Sequence, residues 1–445
     1  MKQKISAFAA TFLLGAFLSS ASLPLPASEA PQPRHGTKLV IVNDDGFSAF
    51  FSGRYKNADD LRQQVASYAD TSVAVFEWCI TSGSRVNFPS KTSELIGTGV
   101  TDFGRRGDQV AADTLRRLAT EGTDTLDIVA QACRTNRILC YASMRMNGDY
   151  APSAKDDSLS RQFNSDFWRA HPEFRVRGPK GEDRTKLSYA YPEVRAFKLA
   201  ILRDAATRDI DGINLDFLRH PPFFGFEEPL VKLFQEKHGV DPRPLPVTDP
   251  RWGPIRAEFM TTFLRDTRKI LDAAGAKHGR RLGLSARIDH REYAVLGCDI
   301  ATWLKAGLLD YLVVGQRTLG GYEFDLAPFV QLARDAGTGC AVLFGEEGIV
   351  SGHDLTAAED KLIKAGKMAA PQRVPNRVGG CRLILRLGVI QRTVAIHILE
   401  QQKRTCIRVL GGPSAGLSRP AWRDVRGRGR VRGLRAWWVQ RAPAI

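Results

Sequence analysis

The chain lacks the short signatures of several common enzyme chemistries. Across 445 residues there is no HExxH pair and no Walker phosphate loop. The usual zinc-hydrolase and nucleotide-hydrolase constellations therefore have no residues to stand on. None of the seven cysteines sits in a CxxC or Cys/His spacing, which argues against a structural metal centre and leaves no legible disulfide framework. Several lie in apolar runs, such as Cys140, and are expected to pack as small hydrophobes. The first apolar strand candidate ends in Asn43-Asp44-Asp45-Gly46, not in GxGxxG, which weakens a dinucleotide fold. No metal and no cofactor is expected. After the N-terminal segment, no apolar run reaches the length of about 18 residues that a membrane helix needs, and no repeat of solenoid length is visible.

Acidic residues are scarce in one region. From Met368 to Ile445 there are 16 Lys and Arg against Glu400 and Asp424, a net +14, which leaves +2 for the preceding 367 residues of a chain with +16 overall. The basicity that would suggest nucleic-acid binding thus belongs to a tail, and nucleic acid is not an expected partner of the body. The tail, 368–445, is rich in Arg and Gly, as in Arg426–Arg432. It is expected to be irregular, the kind of ending that a shifted reading frame would write. At the other end, Lys2 and Lys4 precede the apolar Ile5–Leu18, and small residues follow near Ser20 and Ala27. This is the secretory pattern. Residues 1–30 are expected to be a signal peptide, and the mature protein secreted or periplasmic with no membrane span.

What the body contains is alternation. Short apolar runs at Leu39–Val42, Ser72–Trp78, Ile138–Met144, Gly212–Phe217, Leu282–Arg287, Tyr311–Val314 and Ala341–Phe344 alternate with stretches of helical period. The helical stretches are Asp59–Ala69, Asp108–Thr120, Leu126–Arg137, Glu193–Arg208, Ile255–Ala273, Ile300–Ala306 and Leu326–Ala336. Continuous apolar strands between helices mean a parallel sheet covered by helices. The predicted fold class is α/β, a (β/α)8 TIM-type barrel over 38–367, missing its last strand and followed by the irregular basic tail. Phe47–Lys56, Pro152–Gly181 and Pro221–Trp252 read as long loops on the catalytic face.

Polar residues recur at the C-terminal ends of these runs, where barrel enzymes place their sites, while the N-terminal approaches read as bland. In Asp211–Pro221, alternation puts Ile213, Leu215 and Phe217 on one side and Asn214 and Asp216 on the other. Packing needs no carboxylate there, so Asp216 is the leading catalytic candidate; a rim ion pair with Arg219 is the alternative. Arg219 and His220 follow on the loop. Glu346 and Glu347 follow the last clear strand, and glycoside cleavage requires two carboxyl groups, roughly 5–10 Å apart, flanking the scissile bond. Asp216 with one of these glutamates would supply them. Asn43, Asp44, Asp45, Glu77, Trp78, Arg145, Asn147, Asn214, Arg219, His220, Arg287 and Gln316 are candidate substrate-binding residues. Asn43 to Asp45 could equally form a turn or helix cap, and Trp78 could equally be core.

The segments VNDDG (42–46), FEWC (76–79), SMRMNGDY (143–150), DGINLDFLRHPPFF (211–224) and GLSARI (283–288) resemble the glycosyl-hydrolase-like family ten barrels, exported bacterial proteins distinct from the family ten xylanases. The resemblance runs from about Lys38 to Met368. It implies a (β/α)8 fold and hydrolysis of glycosidic bonds, with a polysaccharide or oligosaccharide as substrate, and it supplies no proven catalytic pair. Nothing after Met368 matches the family's closing strand. The expected function is a glycoside hydrolase acting on an extracellular or periplasmic polysaccharide. The rival is a barrel that binds carbohydrate without cleaving it.

Overall fold

The computed structural model describes residues 39–69, 73–153, 157–317, 324–345 and 384–387, all within a unit spanning 1–400. Eight parallel strands form its centre: β1 (Leu39–Asp44), β2 (Val73–Cys79), β3 (Leu139–Arg145), β4 (Gly212–Asp216), β5 (Gly283–Asp289), β6 (Tyr311–Gly315), β7 (Ala341–Gly345) and β8 (Ile384–Leu387). They pair in the order β1-β8-β7-β6-β5-β4-β3-β2, and the ring closes.

Closure corrects the expectation of a missing last strand. Ile384–Leu387 lies inside the presumed irregular tail, yet it pairs in parallel with β1 over four residues and with β7 over two. Charge scarcity had masked a short strand-like run. The physical pull is the two open sheet edges, whose backbone groups need partners. The segment between β7 and β8 lies outside the described residues, so an eighth crossover helix is not part of the described fold. The segment expected to be a signal peptide and most of the tail also lie outside them.

The helices form where the periodicity places them. Those bounding the core include α1 (Ala58–Ala66), α2 (Arg106–Thr120), α3 (Thr125–Thr135), α4 (Pro192–Ala205), α5 (Glu228–His238), α6 (Trp252–His278), α7 (Ile300–Lys305) and α8 (Ala327–Ala336). Asn57 and Asp60 form a capping box on α1, and Asp124 and Asp299 accept from backbone N–H groups at the starts of α3 and α7. These caps satisfy donors that a helix start leaves unpaired. Helix α5 falls in a stretch that reads as loop from the sequence; Pro229 in its first turn and Gly239 past its end were the available signals.

Strand alternation divides the core in two. Val42, Phe76, Trp78, Ala142, Met144, Ile213, Leu215, Ala286, Ile288, Leu312 and Val314 belong to the large apolar layer that includes the buried helix faces. Ile41, Val75, Tyr141, Tyr311 and Val313 form a separate apolar cluster with Leu139 packed against it. Period-two alternation assigns this second cluster to the barrel interior, which is packed rather than hollow.

Candidate active site at the barrel mouth

Strand register stacks the inner residues of β3, β4 and β5 into rows. Lowest lies Tyr141–Gly212–Gly283, then Ser143–Asn214–Ser285, then Arg145–Asp216–Arg287. The lowest row is a steric lock. A Cβ on Gly283 would stand 1.8 Å from the Tyr141 hydroxyl, and one on Gly212 2.5 Å from its ring carbon Cζ. Two glycines therefore make room for one ring.

The middle row is polar and hydrogen-bonded throughout. Ser143 Oγ donates to Asn214 Oδ1 at 2.9 Å, and Asn214 Nδ2 donates to Ser285 Oγ at 2.8 Å. Asn43 Nδ2 extends the chain to β1 and β2, donating to Glu77 Oε2 at 3.1 Å and reaching Ser143 Oγ at 3.5 Å. Such a network rigidifies what stands on it.

The upper row carries charge. Asp216 is flanked in register by Arg145 and Arg287. Arg287 Nη1 donates to Asp216 Oδ2 at 3.2 Å, and the Leu218 backbone N–H donates to Asp216 Oδ1 at 3.1 Å. Both members of the ion pair have side chains only 3% exposed. The partner of Asp216 in this row is thus Arg287, on the next strand, in place of the ion pair with Arg219 weighed from sequence. Burial opposes the charge on Arg145, yet the acidic groups around it, the carboxylates of Asp45 and Asp216 among them, outweigh that and hold its pKa above the ordinary value. Burial pushes the Cys79 thiol up, against the pull of Arg145.

Several candidates occupy other places. Trp78 is fully buried in the outer layer, stacked on Phe76 and packed edge-on against Phe50. It faces the helices because it is one residue out of phase with the inward Glu77. Asp44 also points outward: it accepts from the Tyr55 hydroxyl at 3.0 Å and from the Gly46 N–H at 2.8 Å. Asp45 accepts from the backbone N–H groups of Phe47 and Ser48. The turn-and-cap alternative for this pair is the one the geometry supports. Asn147 is fully buried and donates to the carbonyls of Leu187 and Pro222 at 2.9 Å each. It ties loops together and is not presented to a substrate.

Arg219 and His220 are partly buried beyond β4, with the His220 ring 6.2 Å from that of Tyr150. Gln316 is partly buried just past β6. Glu346 and Glu347 lie outside the described residues. Asp289, not a leading candidate, accepts from the N–H groups of Arg291, Glu292 and Arg317 and so binds two loops to the rim. Sequence reasoning passed over Ser143 and Cys79 at the mouth. Ser143 was legible as the residue two before Arg145 on the same face.

The opposite end of the barrel is not bland, which corrects another expectation. Asp211 accepts from the Cys140 N–H and pairs with Arg280, while Asp310 accepts from the Leu284 N–H and pairs with Arg281. These carboxylates serve the backbone at strand starts. The difference between the two ends is one of role, not of charge. The five described cysteines are all buried and unbridged, in line with packing as small hydrophobes.

Parallel strands ringed by helices, with a polar, charged mouth at the strand C-termini, define the class: a TIM-like α/β barrel fold with its candidate site where such barrels place theirs. Comparison with known proteins gives a likeness over part of the chain. Residues 111–318 match the family described as glycosyl hydrolase-like 10, and this stretch contains β3 to β6 with all three rows. No curated protein sequence matches the chain. Among solved structures, alpha-L-fucosidase isoenzyme 2 from Paenibacillus thiaminolyticus is similar at 14% identity and a TM-score of 0.46, over 84% of this chain and 50% of that one. The chain thus spans half the length of that relative. Alpha-L-fucosidase AlfC from Lactobacillus casei is similar at 10% identity and a TM-score of 0.37, over 83% of this chain and 97% of that one. A family GH18 chitinase from Chromobacterium violaceum is similar at 14% identity and a TM-score of 0.32, over 64% of this chain and 37% of that one.

Proposed function

We propose that the chain is a glycoside hydrolase whose saccharide substrate meets the polar rows at the barrel mouth, with Asp216 as nucleophile or base. The observation that carries this reading is the segregation of the barrel interior. A hydrogen-bonded polar network runs from Asn43 and Glu77 through Ser143 and Asn214 to Ser285 and is joined in register by the Asp216–Arg287 pair, whereas on β6 the register neighbours of Ser285 and Arg287 are the apolar Tyr311 and Val313. Core packing alone has no use for such a network. Both Asp216 oxygens accept hydrogen bonds, which orients lone pairs and suits attack or proton abstraction more than proton donation.

The proton donor is assigned to Glu346 or Glu347, directly past β7. In a ring of eight, β7 stands three strands from β4, so the two ends face each other across the mouth. Cleavage between two carboxyl groups needs that placement. The match to glycosyl hydrolase-like 10 supports the same chemistry. The secretory pattern of the N-terminus directs the proposal to a polysaccharide outside the cytoplasm.

One observation favours the rival, carbohydrate binding without cleavage: Asp216 is only 2% exposed and committed to Arg287. The test is release of reducing ends from a panel of polysaccharides by the full chain, with Asp216→Asn, Glu346→Gln and Glu347→Gln beside it. We expect turnover by the parent, a loss of about 100-fold or more in Asp216→Asn, and a comparable loss in one of the glutamine variants. Glycan binding by parent and Asp216→Asn alike, without turnover by either, would establish the rival instead.

A further inference from the structure

A cleft of about 570 Å³, separate from the rows at the mouth, is lined by Arg85, Thr98, Asp102, Arg161, Asp166 and Arg169 among others. Its walls come from segments that follow β2 and β3: the antiparallel pair Thr81–Ser82 and Arg85–Val86, the loop after it, and the short helices Ser158–Phe163 and Asp166–Ala170. Segments after barrel strands stand on the face that carries the mouth. Phe163 links the two regions. Its ring lies 5.3 Å from that of Tyr150, which neighbours His220, and its carbonyl accepts from the Ser84 N–H.

The informative residue is Arg85, which is 2% exposed. Its Nη1 donates to the carbonyls of Thr98 at 2.8 Å and Gln162 at 3.3 Å. Nε is buried and has no hydrogen-bond partner among the described residues. The nearest carboxylates, Glu94 and Asp166, stand off at 3.9 Å from Nε and Nη2, too far to bond. A buried guanidinium with part of its donor set unused is costly unless something completes it. Burial, and then the like charge of Arg169, lower the Arg85 pKa.

Arg161 and Arg169 add two more guanidinium groups to the same cleft. They pair with Asp102, Asp157 and Asp166, and the side chains of Asp102 and Asp166 are 86% and 71% exposed. Exposed pairs of this kind contribute little and rearrange easily, so an entering anion can replace them.

We propose that this cleft binds the carboxylate or sulfate group of an acidic saccharide, as a charged subsite beside the mouth. Planar or tripodal oxyanions match an arginine fork, and the segments that wall the cleft follow β2 and β3, on the face that carries the mouth. The saccharide as carrier rests on the glycoside-hydrolase reading; the anion rests on Arg85 and its neighbours.

The experiment is calorimetric titration of the full chain with tetragalacturonate, its methyl ester, a sulfated carrageenan tetrasaccharide and inorganic sulfate. At least one acidic tetrasaccharide is expected to bind about ten times more tightly than the neutral ester at low salt, an advantage that shrinks as salt screens it. Which acid binds identifies the anion. Arg161→Gln/Arg169→Gln is expected to bring acid and ester within about twofold of each other, and Arg85→Lys, which keeps the buried charge but loses the fork, to weaken the acid alone. Equal affinity for acid and ester, an advantage untouched by these variants, or binding of inorganic sulfate only would each overturn the proposal. Asp216→Asn is expected to leave the acid preference intact. A parent that cleaves no glycan yet prefers the acid would end the hydrolase reading and leave the cleft standing.

Discussion

Asp216 and Arg287 form a pair in which each side chain depends on the other. Two buried charges contribute little net stability together, but removing one strands its partner. Arg287→Met is therefore expected to cost about 3–5 kcal/mol, read as a lower urea midpoint. Asp216→Asn keeps an oxygen that can accept from Arg287 or Leu218, and it should cost less. A negligible cost in Arg287→Met would show that water reaches the pair. Asp44 offers a separate test by pH. Burial, followed by the neighbouring Asp45, raises its pKa from 3.8 to about 6, against the hydrogen bonds from Gly46 and Tyr55. Between these values the folded state holds the proton that the unfolded chain releases. This residue's contribution to stability is therefore greatest below about pH 4 and is lost as pH rises through 6. The loss is about 3 kcal/mol at roughly 1.4 kcal/mol per pKa step. Asp44→Asn should keep the turn and raise the melting temperature at pH 7.5 but not at pH 4. A gain of equal size at both values would remove Asp44 from the pH dependence.

At the scale of elements, the site depends on strand register. Register sets Arg145, Asp216 and Arg287 side by side, and the Tyr141 ring over Gly212 and Gly283 holds that register from below. Gly283→Ala should overpack this row and destabilise by about 1–3 kcal/mol. Pairing it with Tyr141→Phe, which removes the clashing hydroxyl, should restore part of the loss, so that the two changes are not additive in a denaturation cycle. Full additivity would mean that the ring turns away freely. Strands and helices were largely legible because their apolar periods differ, two against 3.6. On β4 the inward face was legible too: Asn214 and Asp216 share it, as their spacing required. Helix α5 was obscured by the prolines around it, and Trp78 stayed open between core and site because a large aromatic suits a helix-facing layer and a sugar platform equally well.

For the whole molecule, the decisive feature is the short β8. A chain ending at residue 400 is expected to keep the parent's melting temperature, whereas one ending at residue 380 loses the strand that joins β1 to β7. Two open edges would then invite association. The check is light scattering with hydrogen exchange of the β1 amides. Equal behaviour of the two truncations would show that Ile384–Leu387 does not hold the ring closed.

The sequence by itself determined the layer architecture, the inner and outer faces of β4 and the nomination of Asp216, because each follows from local spacing. Tertiary structure decided the rest. Only register across strands 71 residues apart could pair Asp216 with Arg287. Only the fold decided between core and site for Trp78, and between turn and site for Asp44. Arg85 reads as an ordinary loop residue until the folds after β2 and β3 bury it in the same cleft as Arg161 and Arg169. Closure of the ring by a strand from an acid-poor segment is likewise non-local: four residues with no strong signal of their own are held by two edges that the rest of the fold supplies.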